Sequence, residues 1–474
     1  MALVVFNAKG SDSLTSTAQI KRKSFSKILS AIEMPDLLDV QLRSFHEFLQ
    51  PHVHPVKRET RGLQAVFENI FPIVDSRENF RLEFVEYYVE KPRYSVPECQ
   101  ERGVTFSAPL KAKLRLSIKD EYGDKNKYSD IIEQVVYLGN IPFMTERGTF
   151  IINGAERTVV SQLHRSPGVF FDELRHPNGT KLFTARIIPL RGSWVEFTTD
   201  INDVMYVYID RRKKFPVTTL LRAIGYSTDI ELLNVFDLSN EISVEPENLK
   251  DFKEHVALED VIDTESGELL FERDQKLTDE IIERLLNSNV EKVRLLKTDG
   301  LFGPEIISNT LRKDAAKSEE DALETIYRHL RSGDPPDLDA ARGLIDRLFF
   351  NPKRYDLGKV GRYRLNKKLG LKVPLETTVL SKEDIIVIIK YLLDLREGKR
   401  SADDIDHLGN RRVRTVGEQL SAQMSVGLSR MARTIKERMN LRESENLTPQ
   451  DLINARTILS VINTFFGFTG PYRV

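Results

Sequence analysis

A strict two-residue alternation between residues 110 and 119 constrains the fold of this chain more than any other part of its sequence. Successive side chains of a strand point to opposite faces of a sheet, so an alternating pattern sorts residues by face. One face would carry Leu110, Ala112, Leu114, Leu116 and Ile118, and the other Lys111, Lys113, Arg115 and Lys119. The pattern predicts a half-buried strand whose open face is almost wholly basic.

The segments around this strand indicate an antiparallel sheet. Residues 80–89 alternate in the same way, and a turn at 120–124 leads into a strand-like run at 131–139. Asn153-Gly154 lies between two β-branched runs, and this pair favours a tight chain reversal. Further strands are predicted over 186–197 and 204–210. The first part of the chain is therefore expected to be mainly β.

Helical spacing predominates towards the end of the chain and also appears near its start. Apolar residues recur at helical intervals between residues 35 and 50. Ser381 begins a strongly apolar helix that is expected to end near Gly398. A further stripe predicts a helix from about 415 to 440 and consists of Leu420, Met424, Leu428, Met431, Ile435 and Met439. The predicted fold class is α+β.

Length and composition exclude several classes of protein. A chain of 474 residues exceeds what one hydrophobic core usually organises, so two or three domains are expected. Apolar runs such as 385–389 are far shorter than the ~20 residues that cross a bilayer. Cys99 is the only cysteine and cannot form an internal disulfide. A cytoplasmic protein with no membrane association is predicted.

Charge is unevenly distributed although the net charge is only −1. Residues 229–291 carry 19 acidic and 5 basic residues, whereas residues 351–371 carry seven basic residues and one acid, Asp356. Such a division is typical of a protein with one surface for a polyanion and one solvent-facing module. The acidic segment, about 228–296, also has a βαβ-like order of elements. The alternative, that both charged faces are merely solvated, remains open at this point.

No motif of catalysis or metal binding stands out. The eight histidines are scattered, and neither a Walker-type loop nor a GxSxG nucleophile elbow is present. His164 lies close to Ser161, but neighbours on one strand do not form a triad by themselves. Asp404 and Asp406 could hold Mg²⁺ through water, although two carboxylates in a basic stretch are more often structural. No catalytic residue and no metal ligand is predicted in this chain.

Three long segments carry a specific resemblance to a known family. They are residues 148–172, residues 186–226, and residues 348–371 together with 403–420. All three resemble the bacterial RNA polymerase β subunit, in the order in which that family has them. Weaker matches extend the resemblance to about residues 25–467.

The resemblance implies a domain arrangement. After a flexible arm at 1–24, a protrusion domain with a mixed or antiparallel sheet would occupy 25–155 and continue in helices at 411–467. An α+β lobe domain at 156–410 would be inserted between these parts. Residues 468–474 do not match the family. In that family the two domains form one wall of the cleft that holds DNA.

The resemblance also implies DNA-binding residues. Arg165, Asp406 and Arg411 match positions that line a pocket for a base of the non-template strand, and an Arg with a carboxylate can read the edge of guanine. Trp194, the only tryptophan, matches a residue that stacks on a neighbouring unpaired base.

Four further positions take roles from the family. Asp210 and Arg212 match lobe positions close to downstream DNA. Val160 and Gln162 match one edge of the pocket that binds rifamycin antibiotics. These assignments rest on the resemblance alone.

The resemblance implies partners and a limit on activity. The full polymerase contains β′, α and ω subunits and a σ factor, acts on DNA at the nucleoid, and holds its catalytic Mg²⁺ on β′ aspartates. The residues of β that contact the nucleotide lie beyond the last matching position, so a truncated reading frame or a fragmentary gene model is expected here. This chain alone should neither bind a cofactor nor polymerise RNA. A protein-interaction module and a non-functional fragment remain alternatives.

Overall fold

The computed structural model describes residues 36–119, 128–245, 249, 252–253, 255–263, 269–272, 275–288, 290–296, 302–331, 337–441 and 447–467. The chain divides into two compact units, one formed by Met1–His164 with Val413–Val474 and the other by Arg165–Arg412. The second unit is thus an insertion in the first along the chain. Each unit has its own hydrophobic core.

The first unit begins with helices and a long antiparallel sheet. The sheet has the strand order β1-β2-β3-β4. Its elements, and those that lead out of it, are α1 (Asp39–Leu49), α2 (Gly62–Ile70), β1 (Ile73–Val74), β2 (Phe80–Val89), α3 (Val96–Arg102), β3 (Ser107–Lys119), β4 (Tyr128–Pro142), β5 (Phe150–Ile152), β6 (Ala155–Arg157) and β7 (Gln162–Arg165). The predicted strands at 80–89 and 110–119 are confirmed, and all five apolar residues of the alternation are buried in β3.

The predicted reversal at Asn153-Gly154 is also confirmed. Ile152 pairs with Ala155, so these two residues form the whole loop between β5 and β6. Asn153 has φ 50° and Gly154 has φ 80°. A two-residue hairpin turn of this kind requires positive φ at both positions, which Asn and Gly tolerate better than other residues.

The second unit opens with an antiparallel meander. Its sheet has the order β12-β11-β10-β9-β8. The elements are β8 (Gly168–Arg175), β9 (Lys181–Ile188), β10 (Val195–Thr199), β11 (Met205–Ile209), β12 (Phe215–Pro216), α4 (Val217–Ala223) and α5 (Asp229–Val235). Phe171, Ala185, Phe197 and Val207 are buried together from four neighbouring strands.

The acidic segment forms a small module with a core of its own. It contains β13 (Ser239–Ser243), β14 (Val261–Ile262), β15 (Leu269–Phe271), α6 (Asp279–Leu286) and β16 (Lys292–Leu296). The strand–helix–strand order of β15, α6 and β16 is as predicted. These two strands do not pair with each other, however, so they do not form a βαβ unit. β15 pairs with β14 and β16 pairs with β13, both antiparallel, because each strand finds its partner earlier in the chain.

Helices complete the second unit. They are α7 (Phe302–Lys313), α8 (Glu319–Leu330), α9 (Leu338–Ile345), α10 (Gly358–Leu369) and α11 (Lys382–Arg396). The side chain of Ser381 accepts a hydrogen bond from the backbone N of Asp384, whose carboxylate accepts one from the backbone N of Ser381. This reciprocal cap fixes the start of α11 where the sequence predicts it.

The chain returns to the first unit through β17 (Arg411–Arg414), which pairs with β7. It then forms α12 (Val416–Leu441), α13 (Pro449–Leu452) and α14 (Ala455–Phe466). All six residues of the predicted apolar stripe are buried in α12. The α+β class is therefore confirmed.

Several predictions lie outside the described residues: the arm at 1–24, the turn at 120–124 and the tail at 468–474. Within the described parts of the chain, no helix combines the length and the apolar character that a membrane crossing needs.

Candidate nucleic-acid interface

The basic face of β3 is not an open cationic surface. The strand register places Arg115 opposite Glu83 on one neighbour and Glu133 on the other. Every cation of the alternation has an acidic partner, in the pairs Lys111–Glu90 at 2.6 Å, Lys113–Glu133 at 2.8 Å, Arg115–Glu133 at 2.6 Å and Lys119–Glu78 at 4.0 Å. Hydrogen bonds from Lys113 and Arg115 hold the pKa of Glu133 below its ordinary value. Carboxylates of the same sheet therefore offset most of the positive charge on this face, and less of it is available to a polyanion than the alternation alone indicates.

Trp194 lies in a turn just before β10 and is half-buried. Its backbone N donates to Oδ1 of Asp210 at 2.8 Å, and the backbone N of Asp210 donates to the carbonyl O of Trp194 at 2.9 Å. The Cζ atom of Arg211 lies 5.8 Å from the centre of the indole ring. The carboxylate of Asp210 is thus engaged in holding Trp194, and a guanidinium covers the ring from one side.

The turn that holds Asp210 is built from two left-handed residues. Asp210 has φ 49° and Arg211 has φ 57°. The backbone N of Arg212 closes the turn with a hydrogen bond to Ile209 O at 3.0 Å. The Nη1 of Arg212 donates to the carbonyl of Leu330, which ends α8. Arg212 is exposed, but part of its guanidinium already has a structural partner.

Gly192 allows the Trp194 turn to approach the rest of the unit closely. It has φ +131°, and a Cβ at this position would lie 2.7 Å from Cδ2 of Tyr355. Next to it, Arg191 and Asp356 form an antiparallel bridge with N–O distances of 3.0 and 2.7 Å. The only tryptophan therefore stands on a turn that is fixed from two sides.

The backbones of Arg165 and Arg411 lie on two paired strands. Arg165 ends β7 and Arg411 begins β17, and these strands pair. The backbone N of Ser166 donates to Asn410 O at 3.0 Å. Asp406 lies on the exposed loop that precedes this point, while both arginines are half-buried.

The loop that carries Asp406 is internally hydrogen-bonded. The carboxylate of Asp404 accepts from the backbone N of Asp406 at 3.0 Å, and Nδ2 of Asn410 donates to Asp404 O at 2.6 Å. The Nη2 of Arg364 donates to Oδ1 of Asn410 at 2.5 Å. In the described part of the chain, no cluster of three or more His, Cys, Asp or Glu side chains is arranged to hold a metal ion.

The basic segment 351–371 contains helix α10 and the residues just before it. Some of its cations are buried against the unit and others are exposed. Arg362 is fully buried and its Nη1 lies 2.8 and 2.9 Å from the two carboxylate oxygens of Asp384. Lys368 forms an ion pair with Asp403 at 2.5 Å. Lys359 and Lys367 are exposed. Only part of this segment is therefore available to a polyanion, and Arg362 does not belong to that part.

Val160 and Gln162, the predicted edge of an antibiotic pocket, lie in and just before β7. Val160 is 59% exposed, and its carbonyl accepts a hydrogen bond from Nε2 of Gln419 at 3.2 Å. Gln162 is half-buried at the start of the strand.

Three contributors to these sites were not predicted: Tyr355, Asn410 and Gln419. Each acts on a residue far away in sequence or through a backbone contact, so no local spacing marks it.

Comparison with known proteins places the chain in a family. The family model described as RNA polymerase Rpb2, domain 2, matches residues 165–271 and 276–414, more than half of the chain. The β subunit of DNA-directed RNA polymerase from Flavobacterium psychrophilum is 53% identical over 468 residues, which are 95% of this chain and 37% of that protein. The same subunit from Cytophaga hutchinsonii is 53% identical over 470 residues, 96% of this chain and 36% of that protein.

The chain belongs to the RNA polymerase β subunit family. A further β subunit, from Porphyromonas gingivalis, is 52% identical over 471 residues. The chain spans 36–37% of the length of these relatives. All six predicted DNA-binding residues lie inside the segments that the Rpb2 family model matches, whereas Val160 and Gln162 precede them.

Proposed function

We propose that this chain works as the N-terminal part of the β subunit of DNA-directed RNA polymerase, a nucleotidyltransferase that carries out transcription. The first unit would be the protrusion and the second unit the lobe, and together they would form a wall of the DNA cleft. The observation that carries this proposal is 53% identity over 95% of the chain to a bacterial β subunit.

The Trp194 turn supports contact with an unpaired base of the non-template strand. A half-buried indole that is held by two backbone hydrogen bonds loses little freedom when a base stacks on it. Stacking of one base on an aromatic side chain contributes roughly 1–3 kcal/mol. Arg211, beside the ring, adds a cation for the adjoining phosphate.

The strand pair β7–β17 supports recognition of a neighbouring base. Arg165 and Arg411 end and begin these strands, and Asp406 stands on the exposed loop before them. Guanine offers acceptors to an arginine and an amino donor to a carboxylate, so one Asp with two Arg suits that base. Asp210 and Arg212 would contribute close to the downstream duplex, Asp210 by fixing Trp194. Val160 and Gln162 would form an edge of an antibiotic pocket.

The proposed partners are DNA and the other polymerase subunits, β′, α, ω and σ. The catalytic Mg²⁺ would be held by β′, so this chain would supply no catalytic residue and bind no cofactor. Its contribution to the reaction would be to hold DNA open and in register.

The test uses polymerase assembled with a β subunit that carries this segment. Trp194→Ala should shorten the lifetime of the promoter bubble about 5- to 150-fold, the factor that corresponds to one lost stack. Trp194→Phe should retain much of it, and Arg165→Ala should reduce pausing at guanine. Arg328→Ala is the control because this exposed arginine on α8 pairs with Glu324. Unchanged bubble lifetime in Trp194→Ala would overturn the site assignment.

A second candidate, a protein-interaction module without DNA affinity, is favoured by one observation. The cations of β3 are all engaged by carboxylates of the same sheet, so the first unit shows a neutral face where a DNA-binding sheet would show free charge. Filter binding of the isolated chain to bubble DNA at low salt separates the two candidates. Salt-sensitive retention supports the first, and no retention supports the second.

A further inference from the structure

One face of helix α10 carries two lysines and an aromatic side chain, and this face is exposed to solvent. Lys359, Tyr363 and Lys367 follow each other at intervals of four residues and therefore lie along one face of the helix. Tyr363 is 53% exposed, and Val360 beside it is 63% exposed. An aromatic ring of this size with half its surface in water loses hydrophobic free energy unless something covers it.

The other cations of α10 show why this face is distinct. Arg362, Arg364 and Lys368 turn towards the unit and are held by Asp384, Asn410 and Asp403, respectively. These contacts fix the rotation of the helix about its axis. Lys359 and Lys367 are exposed, and neither has a carboxylate within ion-pair distance among the residues that the structure describes.

The contrast with β3 decides which basic surface a polyanion can use. A phosphate that approaches Lys113 must compete with Glu133, which already lies 2.8 Å from its Nζ. A phosphate that approaches Lys359 or Lys367 replaces only water and counterions, and the release of counterions is what drives such binding. The uncompensated charge is therefore on α10 and not on the sheet.

We infer that Lys359, Tyr363 and Lys367 form a contact site for single-stranded nucleic acid. The lysines bind backbone phosphates and the tyrosine stacks on a base between them. Eight residues of helix separate the lysines by about 12 Å, which is roughly the length of three to four stacked nucleotides at ~3.4 Å each. A tyrosine can stack only on a base whose face is open, which a duplex does not offer.

This inference deepens the proposed function, because within the polymerase the strand on α10 would be a separated DNA strand. The test uses the 474-residue chain and a fluorescein-labelled oligothymidine, with binding followed by fluorescence anisotropy over a series of salt concentrations. Tyr363→Ala should weaken binding about 5- to 150-fold with the salt dependence unchanged. Tyr363→Phe should bind like the unsubstituted chain.

The lysines are tested together, against a matched pair on β3. Lys359→Gln combined with Lys367→Gln should reduce the slope of log K against log salt by about 1.4, since each phosphate contact to a single strand contributes about 0.7. Lys111→Gln combined with Lys113→Gln removes the same charge from the neutralised face and should leave the slope unchanged. An equal reduction of the slope in the two double variants would show a diffuse charge effect and overturn the proposed site.

Two further outcomes bear on the inference. Tighter binding of a duplex than of the single strand would overturn it, and so would full binding by Tyr363→Ala. If the α10 variants bind normally while Trp194→Ala still shortens the bubble lifetime in polymerase, the α10 site fails and the proposed function stands. If Trp194→Ala has a normal bubble lifetime but Tyr363→Ala binds oligothymidine weakly, the α10 site stands and the assignment of Trp194 fails.

Discussion

The carboxylate of Asp210 accepts a hydrogen bond from the backbone N of Trp194 at 2.8 Å, and the backbone N of Asp210 donates to Trp194 O at 2.9 Å. Asp210 can close both bonds because it takes a left-handed conformation, φ 49°, at the end of β11. Its side chain thereby faces the neighbouring strand of the meander. Asp210 was predicted to contact DNA, but in the structure its carboxylate positions Trp194, the predicted stacking residue.

Asp210→Ala should loosen the Trp194 turn. Alanine loses the side-chain acceptor and is strained at positive φ, for a combined cost of about 1–3 kcal/mol. Because Trp194 is the only tryptophan, its fluorescence reports on this turn alone, and we expect lower anisotropy and emission at longer wavelength. Asp210→Asn keeps the acceptor oxygen and tolerates the conformation, so it should resemble the unsubstituted chain. Equal spectra for the Ala and Asn variants would contradict the positioning role.

Gly192→Ala should destabilise the second unit. The new Cβ would lie 2.7 Å from Cδ2 of Tyr355, whose ring is completely buried and cannot move aside. Urea denaturation should show a loss of about 1–3 kcal/mol. Gly179→Ala is the matched control, because Gly179 also has positive φ, +83°, but has no neighbour within 4 Å of the new atom. If both variants lose the same free energy, backbone strain and not the contact with Tyr355 is the cause.

Arg362→Ala should strongly destabilise the second unit, because it leaves Asp384 charged and buried without its partner. Both side chains of the pair are 0% exposed. Removal of one partner from a buried ion pair costs roughly 3–5 kcal/mol, which thermal unfolding would detect as a clear fall in Tm. Arg362→Met combined with Asp384→Leu removes both charges and should restore part of the stability. A double variant less stable than either single variant would contradict this account.

Acidification should weaken the first unit through His46. Burial, and secondarily the nearby ring of His52, lowers the pKa of His46. Its Nδ1 is buried without a hydrogen-bond partner among the described residues, so protonation adds a donor that nothing satisfies. The unfolded chain therefore binds more protons below the ordinary pKa of about 6.5, and the stability present above that pH is lost as the pH falls.

The pH effect is measured by urea denaturation at neutral pH and at a pH about one unit below 6.5. His46→Gln should lose less stability over that interval than the unsubstituted chain. His54→Gln, at an exposed histidine in the same segment, should lose as much stability over that interval as the unsubstituted chain. An unchanged pH dependence in His46→Gln would exclude His46 as the responsible group.

Local patterns were sufficient for several elements. The alternation at 110–119, the Asn153-Gly154 turn and the cap at Ser381 each depend on residues a few positions apart, and each is found where the sequence predicts it. For the acidic module, local patterns were not sufficient. The order of β15, α6 and β16 was predicted correctly, but β13 was not predicted. β16 pairs with β13 across more than forty residues, and no spacing within the module specifies that partner.

The sequence by itself determined the α+β class, several of the helices and strands, and the family. Only the tertiary structure decided which basic residues carry uncompensated charge. On β3 the register sets Arg115 against Glu133, and on α10 the rotation of the helix buries Arg362 and exposes Lys359. A charge is free or neutralised according to its neighbours in space, and those neighbours come from distant parts of the chain.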